Sequence, residues 1–150
     1  MSPLIPQPNG AFVSATTVEQ NKAIYRNFIQ TIFNEGRVEK LADFVGPDYK
    51  LNDAPPDTPK GSAAIAQVVV MFQTGFADLK ITLEELVAEG ELLAARATTE
   101  GTHTGEFLGM PATGKKIMMR GLTMVRIKDG LVRESWVKND MMGLMNQLKS

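Results

Sequence analysis

The sequence predicts an α+β fold in which three helices are followed by a curved antiparallel sheet and a short closing helix. Apolar residues recur at helical spacing as far as Phe76. From Leu79 onward they alternate with polar residues, as Leu79, Ile81 and Leu83 show. Turn signals between the alternating segments predict sequential hairpins, and therefore an antiparallel sheet wrapped over the helices.

The first helix is predicted from Thr16, where the run Thr16-Thr17-Val18-Glu19 has the spacing of a capping box. Asn34-Glu35-Gly36 is expected to end it. One face of this helix is apolar and carries Ile24, Tyr25, Phe28, Ile29, Ile32 and Phe33. That face should lie against the sheet.

A shorter second helix is expected to end at Gly46-Pro47, because proline cannot continue a helix. A short strand is then predicted over 49–53. The segment 54–61 contains three prolines and reads as a loop. Ser62 is placed to cap a third helix that buries Phe72 and Phe76.

Four strands are predicted at 79–89, 91–106, 115–128 and 131–138, with turns at Glu89-Gly90 and Asp129-Gly130. A last helix should run to about Leu148, and Asp140 is better read as its N-cap than as an acid catalyst. Residues 16–150 are therefore expected to form one domain, and residues 1–15 a flexible or surface-draped arm.

Composition excludes several classes of site. The 150 residues contain no cysteine and one histidine, which excludes thiolate chemistry and a metal cage built of imidazoles. A net charge of −1 without a basic run disfavours nucleic acid and anionic membranes as partners. No segment has the length of a membrane span or the pattern of a secretory signal, so we expect a cytoplasmic protein.

One stretch resembles a known family. The run His103-Thr104-Gly105-Glu106-Phe107-Leu108-Gly109, with its continuation to Gly114, is similar to a segment of the SnoaL-like polyketide cyclases. Segments 126–136 and 140–148 resemble that family's last hairpin and closing helix. The resemblance covers about residues 17–148 and implies an NTF2-like cone that opens between the sheet and the helices.

The resemblance implies enzymes that close a ring of a polyketide ester by an intramolecular aldol reaction, with no metal or organic cofactor. Their base is an aspartate directly after the position of Trp136, where this chain has Val137. A valine can neither accept nor donate a proton. A glutamine and a histidine of those cyclases correspond to Gly121 and Thr123, so three polar groups are replaced together.

Asp53 is the best candidate for a catalytic base. The same fold occurs in ketosteroid isomerases, whose base is an aspartate just after the first strand, and Asp53 stands at the matching position. Such a base needs partial desolvation at the rim of an apolar cavity. The alternative is that Asp53 only opens the proline-rich loop. The isomerase's helix tyrosine is not evident, because Phe28 and Ile29 lie near its position.

His103 is the second catalytic candidate, because imidazole titrates in the useful range. The alternative is that His103, which has a threonine on each side, only makes local hydrogen bonds. The ligand-lining candidates are the inward residues of the helices and strands. They are Phe28, Leu51, Phe72, Phe76, Met119, Gly121, Thr123 and Val137. Methionines concentrated in the last third suit a bulky apolar ligand, a dimer face or plain core.

The resemblance implies that Val137, Gly121 and Thr123 face the cavity, and strand alternation then places Arg120, Met124 and Trp136 on the outer face of the sheet. Arg120 is expected to pair there with Glu134, and the alternative is that it anchors a ligand carboxylate. In NTF2-like proteins this face commonly packs against a second subunit, so a homodimer is expected.

The leading functional hypothesis is a cofactor-free cyclase or isomerase that acts on a hydrophobic polyketide-like or terpenoid-like carbonyl compound, with Asp53 as proton acceptor. The alternative is a non-catalytic module of the same fold that binds a small hydrophobic ligand. Epoxide hydrolysis ranks last, because no Arg-x-Asp pair occurs on the relevant strands.

Overall fold

The computed structural model describes residues 4–6, 12–14 and 16–150. Strand β1 (Leu4–Pro6) pairs antiparallel with β2 (Phe12–Ser14). The other residues of the predicted N-terminal arm lie outside the described part of the chain. No helix among the described residues is both long and apolar enough to cross a membrane.

Three helical segments occur before Lys80, as predicted. Helix α1 (Thr16–Phe28) continues directly into a π-helical turn (Ile29–Asn34). A 3₁₀ helix (Val38–Asp43) follows, and α2 spans Ala63–Gly75. The apolar face of α1 is buried as expected, since Tyr25, Phe28 and Ile29 are each at most 7% exposed.

Three local predictions were wrong. The short strand predicted over 49–53 begins at Val45 and ends at Leu51. The second helix ends at Asp43 rather than at Gly46-Pro47, because Val45 already belongs to strand β3 (Val45–Leu51). The N–H of Val132 donates to the carbonyl of Phe44 at 2.7 Å, which draws this segment into the sheet. Ser62 stands at the N-cap position of α2, but its side chain makes no capping hydrogen bond.

The four remaining strands occur close to their predicted positions. They are β4 (Lys80–Glu89), β5 (Leu92–Thr102), β6 (Lys116–Lys128) and β7 (Leu131–Asn139), followed by α3 (Met141–Lys149). Each consecutive pair of these strands is antiparallel. The Asp140 side chain caps α3 by accepting a hydrogen bond from the N–H of Gly143 at 2.9 Å.

The sheet is mixed rather than wholly antiparallel. Its strand order is β3-β7-β6-β5-β4, and β3 pairs with β7 in parallel. A parallel neighbour comes from a crossover connection, and here β3 and β7 are separated by most of the chain. The edge beside β7 is thereby covered, and the end of β3 is brought next to the end of β7.

Two apolar clusters fill the space between the sheet and the helices. The first joins α1 and the π-helical turn to strands β3 to β7, with Phe28, Tyr49 and Leu93 among its members. The second joins α2, α3 and the β5–β6 connection, and it includes Phe76 and Phe107. Burial of these large side chains supplies the main stabilisation of the domain.

Candidate functional site

The inner face of the sheet becomes accessible toward the end of β7. Thr123 on β6 lies opposite Val137 on β7, and Val125 lies opposite Ser135. Ser135 is 5% exposed, whereas Val137 is 39% exposed. The predicted alternation is confirmed for these positions, and Val137 therefore stands at the open end of the inner face.

Two tyrosine hydroxyls lie behind this open end. Burial raises the pKa of Tyr25 far above its usual value, and a hydrogen bond with the Thr123 side chain opposes the rise only in part. Burial also raises the pKa of Tyr49, with an opposing hydrogen bond from Ser135. Both phenols are therefore neutral at physiological pH and can donate a hydrogen bond.

Gly121 lets a polar side chain approach the sheet. A Cβ at this position would collide with Oδ1 of Asn139, the last residue of β7. The Asn139 amide therefore occupies the space that a side chain at 121 would take. The open end of the inner face thus carries hydroxyl and amide groups around Val137, without a carboxylate on that strand position.

Asp53 lies at the turn that follows β3, in the left-handed region with φ of 56°. Its carboxylate accepts a hydrogen bond from Nζ of Lys138 at 3.2 Å. The two side chains are 62% and 70% exposed, so this ion pair contributes little to stability and is easily displaced. The structure places Asp53 at the predicted position but gives it no apolar enclosure.

His103 lies apart from this region, in the second apolar cluster. It is fully buried and its ring lies 5.5 Å from that of Phe76. Nδ1 is 2.9 Å from the Thr113 hydroxyl and accepts a longer bond from the Thr113 N–H. Among the described residues Nε2 has no partner. The ring thus ties the two ends of the β5–β6 connection together, away from the open end of the inner face.

The predicted ligand-lining residues do not all converge. Phe28 belongs to the first apolar cluster and Leu51 packs against it, whereas Phe72, Phe76 and Met119 belong to the second. All but Leu51 are at most 7% exposed and act as core. Gly121, Thr123 and Val137 share the open inner face described above.

A cleft of about 310 Å³ lies next to Asp53. The end of β3 forms one side through Tyr49, Lys50 and Leu51, and the proline-rich loop forms the other, beginning with Ala54. Among the described residues, no group of three or more acidic or histidine side chains could hold a metal ion.

The prediction that Arg120 pairs with Glu134 was wrong. Glu134 lies opposite Arg126 and bonds its Nε at 3.4 Å, and it also accepts from the Asn52 amide at 3.0 Å. The outward direction of Arg120 is confirmed by its exposure. No residue of β7 lies opposite it, because the pairing of β6 with β7 begins at Gly121.

The fold and the last hairpin agree with one family of proteins. The model of the SnoaL-like polyketide cyclases matches residues 23–148. The chain belongs to the SnoaL-like polyketide cyclase family. The expected NTF2-like architecture of that family is confirmed by solved structures with the same arrangement.

Relatives of this SnoaL-like protein are named as methyl ester cyclases. The nogalonic acid methyl ester cyclase of Streptomyces nogalater is 32% identical over 77% of this chain and 88% of its own length. The aklanonic acid methyl ester cyclase DnrD of Streptomyces peucetius is 30% identical over 77% of this chain and 82% of its own.

Solved structures of SnoaL-like proteins superpose over most of the chain. TsrD from Streptomyces laurentii is 28% identical with a TM-score of 0.78, over 87% of this chain and 95% of TsrD. Wild-type IdmH from Streptomyces antibioticus is 32% identical with a TM-score of 0.76, over 87% of this chain and 99% of IdmH.

Sequence reasoning overlooked several groups at the site. Tyr25 was predicted as part of the apolar face of the first helix, and such spacing indicates which face is buried but not where a hydroxyl points. Tyr49 was predicted only as part of a short strand. Lys138 and Asn139 lie next to Val137 in sequence, but their contacts depend on where β3 and β7 end. Pairing across distant segments carries no local sequence signal.

Proposed function

We propose that this SnoaL-like protein is a cofactor-free cyclase or isomerase of a hydrophobic polyketide-like carbonyl compound. The observation that carries the proposal is the open inner face at Thr123 and Val137, backed by two neutral phenols. Neutral donors of this kind bind a carbonyl oxygen and stabilise the negative charge that develops on it during enolisation.

Asp53 is the proton acceptor in this proposal. Its carboxylate bonds Lys138, the residue after Val137, so Asp53 lies at the same end of the sheet as the open inner face. Its partner Lys138 is exposed, and an entering ligand can displace that ammonium at little cost. Displacement would leave an acceptor beside the ligand, in the desolvated setting that a carbon acid requires.

The absence of a carboxylate at Val137 and the exposure of Asp53 favour a second candidate, a non-catalytic module that binds the same class of compound. The two candidates differ in turnover and agree in binding. Testing the two candidates therefore requires that binding and product formation be measured with the same compound.

The test uses nogalonic acid methyl ester, the compound in the name of one relative. A cyclase gives a ring-closed product whose rate of formation is proportional to protein concentration, followed by chromatography and mass spectrometry. Saturable binding by calorimetry without product identifies the binding module. Neither binding nor product with this ester and with aklanonic acid methyl ester contradicts both candidates.

We also propose a homodimer through the outer face of the sheet. Val87, Ala94, Met124 and Trp136 form one cross-strand row there. Val87 is 63% exposed, Met124 43% and neighbouring Leu122 62%, so these side chains form an exposed apolar patch of the kind that marks interaction sites. Burial of this surface against its copy would remove the exposed apolar area from water.

The oligomeric state tests this proposal by light scattering after size exclusion. The wild type should have the mass of a dimer, and Leu122→Glu that of a monomer. Val70→Glu is the matched control, since Val70 is 55% exposed on α2 and away from the sheet face. A monomeric wild type would contradict the dimer.

A further inference from the structure

The cleft beside Asp53 has the size and the walls of a small-molecule site. Its volume of about 310 Å³ lies at the lower end of the range for such sites. Leu51, Ala54, Pro55 and Pro59 supply apolar surface from both sides. Tyr49 lines it as well, held by its bond to Ser135.

Two lysines give this apolar cleft a positive charge. Lys50 and Lys60 both belong to its lining and both are exposed. Neither forms an ion pair with any residue that the structure describes. Their ammonium groups are therefore available to a ligand.

Three nearby carboxylates bond other side chains, and a fourth lies outside the lining of the cleft. Glu134 lies beside Lys50 across the β3–β7 pair, but it bonds Arg126 and the Asn52 amide. Asp48 bonds Arg133 at 3.0 Å, and Asp53 bonds Lys138. Asp57 belongs to the same loop but not to the lining of the cleft. The described lining of the cleft thus combines apolar walls with two lysines and contains no carboxylate.

We propose that this cleft binds an apolar carboxylate, with its ring system between Leu51 and the loop prolines and its carboxylate at Lys50 and Lys60. The charge of the lysines selects the free acid over an ester of the same ring system. An inorganic anion would lack the apolar contact, and a neutral ester would lack the charge. This binding step does not require ring closure, so failure of either proposal leaves the other open to its own test.

The test compares anthraquinone-2-carboxylate with its methyl ester, which share the ring and differ in charge. Titration calorimetry at low salt should show the acid binding about tenfold more tightly than the ester, because two exposed ion pairs each contribute a few-fold. The preference should shrink as salt is raised. The Lys50→Gln/Lys60→Gln double variant should bind acid and ester equally, whereas Lys149→Gln on α3 should keep the wild-type preference.

Amide NMR shifts locate the ligand. Shifts from the acid should cluster at Leu51, Ala54, Thr58 and Gly61. Equal affinities of the wild type for acid and ester, or a preference that survives in the double variant, would overturn the proposal. Shifts centred on Thr123 and Val137, or no binding of the acid, would overturn it equally.

Discussion

The side chain of Gln147 hydrogen-bonds to the edge of β6 beyond the last residue that pairs with β7. Beyond the pair of Gly121 with Asn139, no strand of the described part of the chain pairs with β6 on that side. The N–H of Met118 donates to Oε1 of Gln147 at 2.9 Å, and Nε2 of Gln147 donates to the Met118 carbonyl at 2.8 Å. Nε2 also reaches the carbonyl of Gly143 at 3.2 Å. The Gln147 amide thus makes the two hydrogen bonds that a neighbouring strand would make, and it connects α3 to the sheet.

Gln147→Ala should destabilise the protein by about 2 kcal/mol. Three hydrogen bonds at about 1 kcal/mol each are lost, and the helix preference of alanine returns roughly 0.4 kcal/mol. Met118 is 44% exposed, so water can replace part of the loss. Gln147→Glu keeps an acceptor for the Met118 N–H. At neutral pH, however, its second carboxylate oxygen faces the Met118 carbonyl, and two acceptors repel each other. Below about pH 4 the protonated acid can donate again, and part of the stability should return relative to the wild type.

Urea denaturation followed by circular dichroism measures both variants, at neutral and at acid pH. Asn146→Ala is the matched control, because Asn146 is exposed on the same helix. A loss below about 0.5 kcal/mol for Gln147→Ala would refute the reasoning, since the variation among surface substitutions is of that size. Gln147→Glu behaving as wild type at neutral pH would refute it too.

Three further predictions concern the stability of the fold. Gly105→Ala should destabilise by about 2 to 3 kcal/mol, since a Cβ would collide with the Thr74 carbonyl oxygen, and an unchanged urea midpoint would contradict this. Hydrogen bonds from the backbone N–H and side chain of Thr102 hold the pKa of Asp78 below its usual value, so its contribution is present at neutral pH and is lost as the pH falls below about 4. Asp78→Asn should therefore be less stable at neutral pH and less sensitive to acid; parallel pH profiles would refute it. Leu108→Asn should raise stability by about 0.5 kcal/mol, because Leu108 has φ of 48°, is 53% exposed, and asparagine tolerates that conformation better; a lower melting temperature would contradict it.

Local pattern was sufficient to predict most elements of this fold. The stripe along α1 and the alternation from Leu79 onward report which side of each segment is buried, and burial is what decides helix and strand here. The parallel pairing of β3 with β7 was missed because it joins segments far apart in sequence. Val45 reads as part of a helix until β7 is present to pair with it.

Alternation predicted the face of a side chain but not its partner. Arg120 and Glu134 both point outward, yet the register of β6 with β7 sets Arg126 opposite Glu134. A bulge between Arg126 and Ile127 shifts that register further along the strand. No feature of the local sequence fixes the register of this pair.

The candidate site was also predicted only in part, because local sequence indicates the face on which a residue lies but not its contacts. The position of Asp53 after a strand could be inferred, and so could the inner-face location of Thr123 and Val137. The contact of Asp53 with Lys138 depends on the left-handed turn at Asp53 and on the adjacent end of β7. The cleft depends on where the proline-rich loop returns to β3, which composition alone does not specify.

The most direct test of the account is the ratio of kcat/KM between wild type and Asp53→Asn on the methyl ester that the wild type converts. Asp57→Asn, a change of the same kind in the same loop, serves as the control. General-base catalysis contributes about 10²- to 10⁴-fold, so Asp53→Asn should lose at least about 100-fold while its affinity for the ester stays within about twofold. Equal turnover by Asp53→Asn and Asp57→Asn would contradict the central claim that Asp53 accepts the proton.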